Sequence, residues 1–366
     1  MSGLIPLESY YLIYMNIILC ICGFTFLHTL VLQESDVKVL MYNRWISFVL
    51  LVFLLVYIGT RPINGVFVDM TTYAQTFQQF KLGLIKPGKG DIGFEYFIYY
   101  CSQLTSVEMF FFICAFIYVV PLFIACKKWF PKHYFFAFLM LVASFSFWTY
   151  GTNGIRNGMA TSLFIWALSY LPKNLKAAIP IFALSLMFHK SMLLPLLALG
   201  ITFIMTDTKK YYFFWLFSIF LSITMGGIWE SLFASMGFGD DRLAGYLTAA
   251  ADAKKFSSTG FRYDFLLYSA APLVLAYFYV FKKGFSDPLY KHILHTYMIA
   301  NAFWIMVIRA NFSNRFAYLS WFLMALVVVY PLLKEVFWHK QFKKLGIITL
   351  VYYGFTYAMY FYYEYR

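Results

Sequence analysis

The stretch Leu104-Thr-Ser-Val-Glu-Met-Phe-Phe-Phe-Ile-Cys-Ala-Phe-Ile-Tyr-Val-Val-Pro-Leu-Phe-Ile-Ala-Cys126, followed at once by Lys127-Lys128, decides the fold class. Its only charge is Glu108, near the start, and it runs apolar from there to the lysines. A helix of this length reaches across the roughly 30 Å hydrocarbon core of a bilayer. The run is continuous rather than alternating, which excludes the strand of a membrane barrel. Similar runs lie at about 10–32, 45–59, 134–150, 158–171, 175–188, 191–206, 211–228, 264–281, 292–308, 316–333 and 345–363. Together they predict one all-α polytopic membrane domain over residues 1–366, with about twelve transmembrane helices.

Composition agrees. The 366 residues are 62% hydrophobic and 23% aromatic, and only 12% are charged, where soluble domains carry about 25% charged residues. A net charge of +13 would suggest nucleic acid as a partner of a soluble protein. Here the charges sit in loops between apolar runs and form no basic arm or stripe, so nucleic acid is excluded. The five cysteines, Cys20, Cys22, Cys101, Cys114 and Cys126, fall in or beside apolar runs. They read as small core residues rather than a disulfide framework or metal site. The first basic residue is Lys38, so the N-terminal run is expected to be a first span starting outside, not a cleaved signal peptide.

Lysine and arginine are sorted. Alternate connections carry Lys38 and Arg44, Lys127, Lys128 and Lys132, Lys173 and Lys176, Lys209 and Lys210, Lys282, Lys283 and Lys291, and Lys334, Lys340, Lys343 and Lys344. Short lysine-rich loops mark the cytoplasmic side. The opposite face then holds seven of the eight arginines. Arginine presents a planar fork of donors suited to bidentate phosphate or carboxylate recognition. The outer face is therefore expected to hold an anionic, phosphorylated substrate. Two longer segments, 60–103 and 229–262, are expected to cap it, with an amphipathic interfacial helix over 93–103.

Within that face, Tyr150-Gly-Thr-Asn153-Gly-Ile-Arg156-Asn157-Gly158 combines three glycines with one arginine. The glycines permit tight backbone and close approach to a ligand, and Arg156 is expected near a helix N-terminus, which also favours anions. The bland alternative is an interfacial arginine on lipid headgroups. Phe188-His189-Lys190-Ser191 joins two short runs, so its tip is expected in a recess below the outer surface. His189 could act there as general base or orienter; the alternative is a histidine satisfied by a carbonyl.

Gly237-Phe-Gly-Asp240-Asp241-Arg242 and Tyr246 lie in the second long segment, and Gly260-Phe-Arg262-Tyr-Asp264 at the next span. Asp240 and Asp241 read as a solvated cap rather than a divalent-metal site, and no metal or other cofactor is expected. Arg309-Ala-Asn-Phe-Ser-Asn-Arg315-Phe-Ala-Tyr318 adds two arginines, with Arg315 and Tyr318 on one helix face. In the first segment Arg61, Asp69 to Tyr73, Asp91 and Glu95 form another polar cluster. Asp69 or Glu95 could serve as base or sugar acceptor, or could simply pair with a cation. The many aromatic residues suit interfacial belts.

Taken in order, Arg61 through Asp69-Met-Thr-Thr-Tyr73, Asn153-Gly-Ile-Arg156-Asn157-Gly-Met-Ala160, Phe188-His189-Lys190-Ser191, Gly260-Phe-Arg262-Tyr-Asp264 and Arg315-Phe-Ala-Tyr318 resemble the EpsG family of Wzy-type polysaccharide polymerases. The likeness covers roughly residues 60–320. The family commonly shows Arg-Gln where this chain has Arg156-Asn157. The resemblance implies a glycosyltransferase of GT-C-like architecture at the outer face of the bacterial plasma membrane. It would join polyprenyl-pyrophosphate-linked oligosaccharides without metal, beside a chain-length-regulating co-polymerase. On that reading Arg156, Arg242, Arg262, Arg309 and Arg315 hold pyrophosphate, and His189 is the base, with Asp69 in reserve. Asn153, Asn157, Tyr73, Tyr246, Tyr318, Arg61, Glu95, Asp264 and Lys190 are glycan-contact candidates. A glycan ligase, a flippase for lipid-linked sugars and a membrane acyltransferase are the competing readings.

Overall fold

The computed structural model describes residues 5–32, 37–88, 90–171, 173–235, 260–310 and 313–364. These are helical, with no strand among them. Among the described residues, six helical stretches are long and apolar enough to cross a membrane: Leu7–Val31, Val37–Gly59, Val107–Trp129, Thr208–Trp229, Tyr263–Lys282 and Asn314–Lys334. Leu175–Phe188 and Lys190–Ile204 are shorter apolar helices. The chain is therefore a helical membrane protein. It divides into two compact units, Met1–His189 with Leu332–Arg366, and Lys190–Pro331.

Unit 1 contains α1 (Tyr10–Val31), α2 (Val37–Gly59), α3 (Met70–Lys81), α4 (Ile92–Leu104), α5 (Val107–Trp129), α6 (Tyr134–Val142), α7 (Phe147–Thr152), α8 (Ile155–Leu168) and α9 (Leu175–Phe188). Chemistry at the helix ends sets several boundaries. Ser106 caps α5 by accepting from the Met109 N–H, and Glu108 and Lys127–Lys128 lie at the ends of the helix that favour their charges. Asn174 caps α9 through the Ala177 N–H. α5 packs against α2 and α8, α8 against α9, and α3 against α4. The expected interfacial helix over 93–103 is α4. The helix α3 lies where the sequence suggested only a polar cluster.

The run 134–150, expected as one span, is broken between α6 and α7. A helix break frees carbonyls, and where these are buried other protein groups must donate to them. Two hydroxyls do so, and a third reaches the first residue of α7. Tyr14 donates to the Val142 carbonyl at 3.1 Å, the Thr356 hydroxyl to Ala143 at 2.8 Å, and Tyr118 to Phe147 at 3.0 Å. The break ends α6 early and turns the chain through α7 into the start of α8, where Arg156 sits.

Unit 2 contains α10 (Leu193–Ile204), α11 (Thr208–Ser235), α12 (Tyr263–Tyr277), α13 (Pro288–Met306) and α14 (Asn314–Trp321). The chain continues through α15 (Met324–Lys334), where it returns to unit 1, and ends in α16 (Gln341–Glu364). The run expected at 316–333 is thus two helices, α14 and α15. α13 is the central helix of unit 2, packed by α10, α11, α12 and α14 and buried along most of its length. Its start is fixed by Pro288 in the first turn and by Asp287, whose carboxylate accepts from the Tyr290 N–H. Asn301, fully buried, accepts from Trp215 Nε1 at 2.8 Å and donates to the hydroxyls of Ser269 at 3.2 Å and Ser320 at 3.0 Å. Trp321 Nε1 donates to Ser269 as well, at 2.7 Å. One amide thereby ties α11, α12, α13 and α14.

Replacing Asn301 with alanine would leave the buried Trp215 N–H without an acceptor, a loss of about 1–3 kcal/mol. Thermal unfolding of the purified variant in detergent should show a lower midpoint. An unchanged midpoint would mean that this network does not hold the four helices.

Candidate functional site

The residues of unit 1 assigned from sequence gather where α3, α4 and α8 begin. Gly154 precedes α8, which places Arg156 in its first turn. Arg156 Nη1 donates to Asp91 Oδ2 at 2.7 Å, and its Nε donates to the Tyr73 hydroxyl at 3.2 Å. The guanidinium lies 5.9 Å from the Tyr73 ring centre and 5.8 Å from that of Phe94. The pair is largely buried, with side-chain exposures of 21% for Arg156 and 7% for Asp91. Burial raises the Tyr73 hydroxyl above its ordinary pKa, opposed by the charge of Arg156 and by its hydrogen bond. Tyr73 therefore stays a neutral phenol at neutral pH and can accept from Arg156.

Asp69 precedes α3, and its backbone N–H donates to Asn153 Oδ1 at 3.3 Å, which joins α3 to the turn before α8. The half-buried Asp69 carboxylate accepts no hydrogen bond among the described residues. It lies close enough to Tyr73 to raise that group's pKa. Asn157 is half-buried on the following turn of α8. His189 ends α9 and is buried. Its neighbour Phe188 packs on Phe94 and Phe97, with ring centres 6.5 and 5.6 Å apart. Lys190 is exposed.

Three sequence readings change. Arg61, expected among the glycan contacts, is 4% exposed and donates to the carbonyls of Ile58 and Thr152. Its guanidinium sits 5.6 Å from the Phe67 ring centre and 5.4 Å from that of Phe111. Burial lowers it to about 10, so it remains charged at neutral pH and serves to join the end of α2 to α7. Among the glycines around Arg156, Gly158 is also required by packing. A Cβ at Gly158 would come 2.4 Å from the Tyr150 carbonyl oxygen. Glu95 accepts from the Gly88 N–H and so helps fix the turn before α4.

Unit 2 carries the other arginines. Arg262 holds Asp264 with both arms of its fork, at 2.9 and 2.6 Å, and stacks 3.8 Å from the Phe265 ring centre. Arg309 is exposed and approaches α11 at Gly226, where a Cβ would lie 3.0 Å from its Nη1. The backbone of α11 leaves helical geometry at Met225, beside that glycine. Arg315 is exposed on α14, and Tyr318, three residues on, is buried against Trp321. Arg242, Tyr246, Asp240 and Asp241 lie outside the described residues. Asp91 is the residue that sequence reasoning undervalued. No local pattern marks it, because its partner is far along the chain.

The fold defines an integral membrane protein in which two arginines, Arg156 and Arg262, meet carboxylates at the starts of helices. The chain belongs to the EpsG family, whose model matches residues 44–366, a family of Wzy-type polymerase-like proteins. No curated protein and no solved structure matches it.

If Asp91 fixes Arg156, Asp91→Ala should lower the unfolding midpoint by an amount equivalent to about 1–3 kcal/mol, because it leaves a mostly buried guanidinium short of an acceptor. Asp91→Asn, which keeps an oxygen in place, should lose less. Equal losses in a melting series would show that shape, not the hydrogen bond, matters at position 91.

Proposed function

We propose that this chain polymerises polyprenyl-pyrophosphate-linked oligosaccharide repeat units at the outer face of a bacterial plasma membrane. The reading rests on family membership together with one observation: Arg156, in the first turn of α8, is held by Asp91 and by Tyr73, whose own helix begins after Asp69. About twelve spans in a GT-C-like arrangement, with the lysine-rich connections in the cytoplasm, belong to the same proposal. So does a co-polymerase that sets chain length.

In the proposed reaction the acceptor sugar hydroxyl attacks the anomeric carbon of the growing glycan. A new glycosidic C–O bond forms as the bond from that carbon to the pyrophosphate oxygen breaks. The electron pair leaves with the lipid pyrophosphate, and the hydroxyl proton passes to a carboxylate. Arginine donors stabilise the charge that develops on the leaving group in a site of low dielectric. Arg156 has that role in unit 1. Arg262, Arg309 and Arg315, with Arg242, are the corresponding anion ligands in unit 2. Asp69 replaces His189 as the preferred base, because its carboxylate is open among the described residues while His189 is buried. Asn153, Asn157, Tyr73, Tyr318 and Lys190 remain glycan-contact candidates, with Tyr246 and Asp264.

The test is the surface-glycan ladder of a strain lacking this gene, complemented with the native chain or its variants. Arg156→Ala should reduce polymer about 100-fold or more at near-normal protein level, and Asp69→Asn by a similar factor. Glycans stopping at one repeat unit support the polymerase. Long polymer stranded on its carrier supports a ligase, and undelivered single units a flippase. Full-length ladders from Arg156→Ala would remove Arg156 from the reaction.

A further inference from the structure

Unit 2 contains a second charged feature at its lysine-rich end. A cavity of about 320 Å³ is bounded by the start of α11, the turn that follows α12 and the start of α13. Lys209 and Lys291 line it, with Thr206, Asp207, Ser286 and Phe281. Lys209, Thr206 and Ser286 are exposed, and Lys291 is half-buried. Neither lysine pairs with a carboxylate among the described residues.

The nearby carboxylates are already engaged with backbone. Asp207 Oδ1 accepts from the Lys209 N–H at 2.9 Å, and Asp287 Oδ1 from the Tyr290 N–H at 2.9 Å. Asp287 also accepts from the Tyr330 hydroxyl, at 3.2 Å. Two ammonium groups thus face one cavity whose lining holds a single carboxylate, Asp207, beside hydroxyls able to donate to an oxyanion.

A second observation says which anion. Lys209, Phe213, Phe217 and Phe220 follow one another at spacings of four, four and three, so they share one face of α11. The three rings are exposed by 71%, 42% and 59%. They are stacked, with centres 5.9 and 6.0 Å apart. From Lys209 to Phe220 the helix rises about 16 Å, close to half of the roughly 30 Å hydrocarbon core. A free phosphate would make no use of such a ladder, whereas an acyl chain of one leaflet matches its length. Basic pockets between transmembrane helices suit lipid phosphates.

We propose that this cavity binds one membrane phospholipid. Its phosphate sits between Lys209 and Lys291, and an acyl chain lies along Phe213, Phe217 and Phe220. The inference is independent of the transfer reaction.

Native mass spectrometry of the purified full chain in detergent tests it, with dioleoyl phosphatidylglycerol, dioleoyl glycerol and glycerol phosphate as probes. The native chain should retain one phosphatidylglycerol under activation that strips the other two probes. Lys209→Gln with Lys291→Gln should lower its occupancy about ten-fold, and Lys343→Gln with Lys344→Gln should leave it unchanged. If the first pair melts lower without lipid, Lys209→Glu alone, at an exposed position, carries the same test. Equal phosphatidylglycerol binding by the cavity variants overturns the proposal. So does equal retention of glycerol phosphate, which means a small-anion site, or of dioleoyl glycerol, which means a purely apolar surface.

Discussion

A carbonyl oxygen inside a bilayer has no water to turn to, and this requirement organises the protein. Where helices pack on one another, a buried carbonyl gains a donor from a neighbour, and here that donor is often tyrosine. Tyr14 and Thr356 serve the break between α6 and α7, and Tyr118 reaches the first residue of α7. Tyr10 and Tyr57 each donate to the other's carbonyl. In unit 2, Tyr212 reaches Leu273, Tyr290 reaches Val327 and Tyr297 reaches Ser269. A tyrosine offers an apolar ring for packing and one hydroxyl at its tip, so it can cross a helix interface without leaving polar atoms stranded. The irregular backbone that presents Arg156 exists because these donors make it affordable.

The same rule governs charge. Arg156 and Arg262 each meet a carboxylate, Asp91 or Asp264, and Arg61 meets carbonyls instead. A guanidinium out of water needs acceptors for its donors, and each of the three finds some within its own unit, although the buried Nε of Arg61 has none among the described residues. Aromatic rings complete the surroundings of all three. An incoming anion therefore competes with an internal carboxylate for the fork. That favours a ligand bringing contacts of its own, and disfavours a simple ion.

Much of the architecture was legible from residue patterns. The span 175–188 coincides with α9, because a side-chain cap at Asn174 and a change of character at His189 mark its ends locally. The helix α3 was legible in principle: Met70, Tyr73, Phe77 and Phe80 are its buried face, at spacings of three and four. The polar residues between them drew attention away from that period. The break in 134–150 could not be read, since Ser144 and Ser146 sit in an otherwise apolar run and the hydroxyls that satisfy its freed carbonyls come from α1 and α16. Asp91 is 65 residues from Arg156, so their pairing is a property of the packed chain. The tyrosines suited interfacial belts by composition alone, yet many are internal donors, a role visible only once their partners are known.

Unit 1 is not contiguous: it is assembled from residues 1–189 and 332–366, with all of unit 2 intervening in the chain. Its first helix packs against its last, and Tyr353 donates to the Met15 carbonyl across 338 residues of sequence. Lys334 likewise closes on the Trp129 carbonyl at 3.0 Å. During synthesis α1 must therefore wait, with its eventual neighbour unmade, until residues 341–364 have left the ribosome. Unit 2, being continuous, can complete its own packing earlier. Closure of unit 1 is then a late, long-range event of high contact order, and loss of the last helix would uncover the flank of the first.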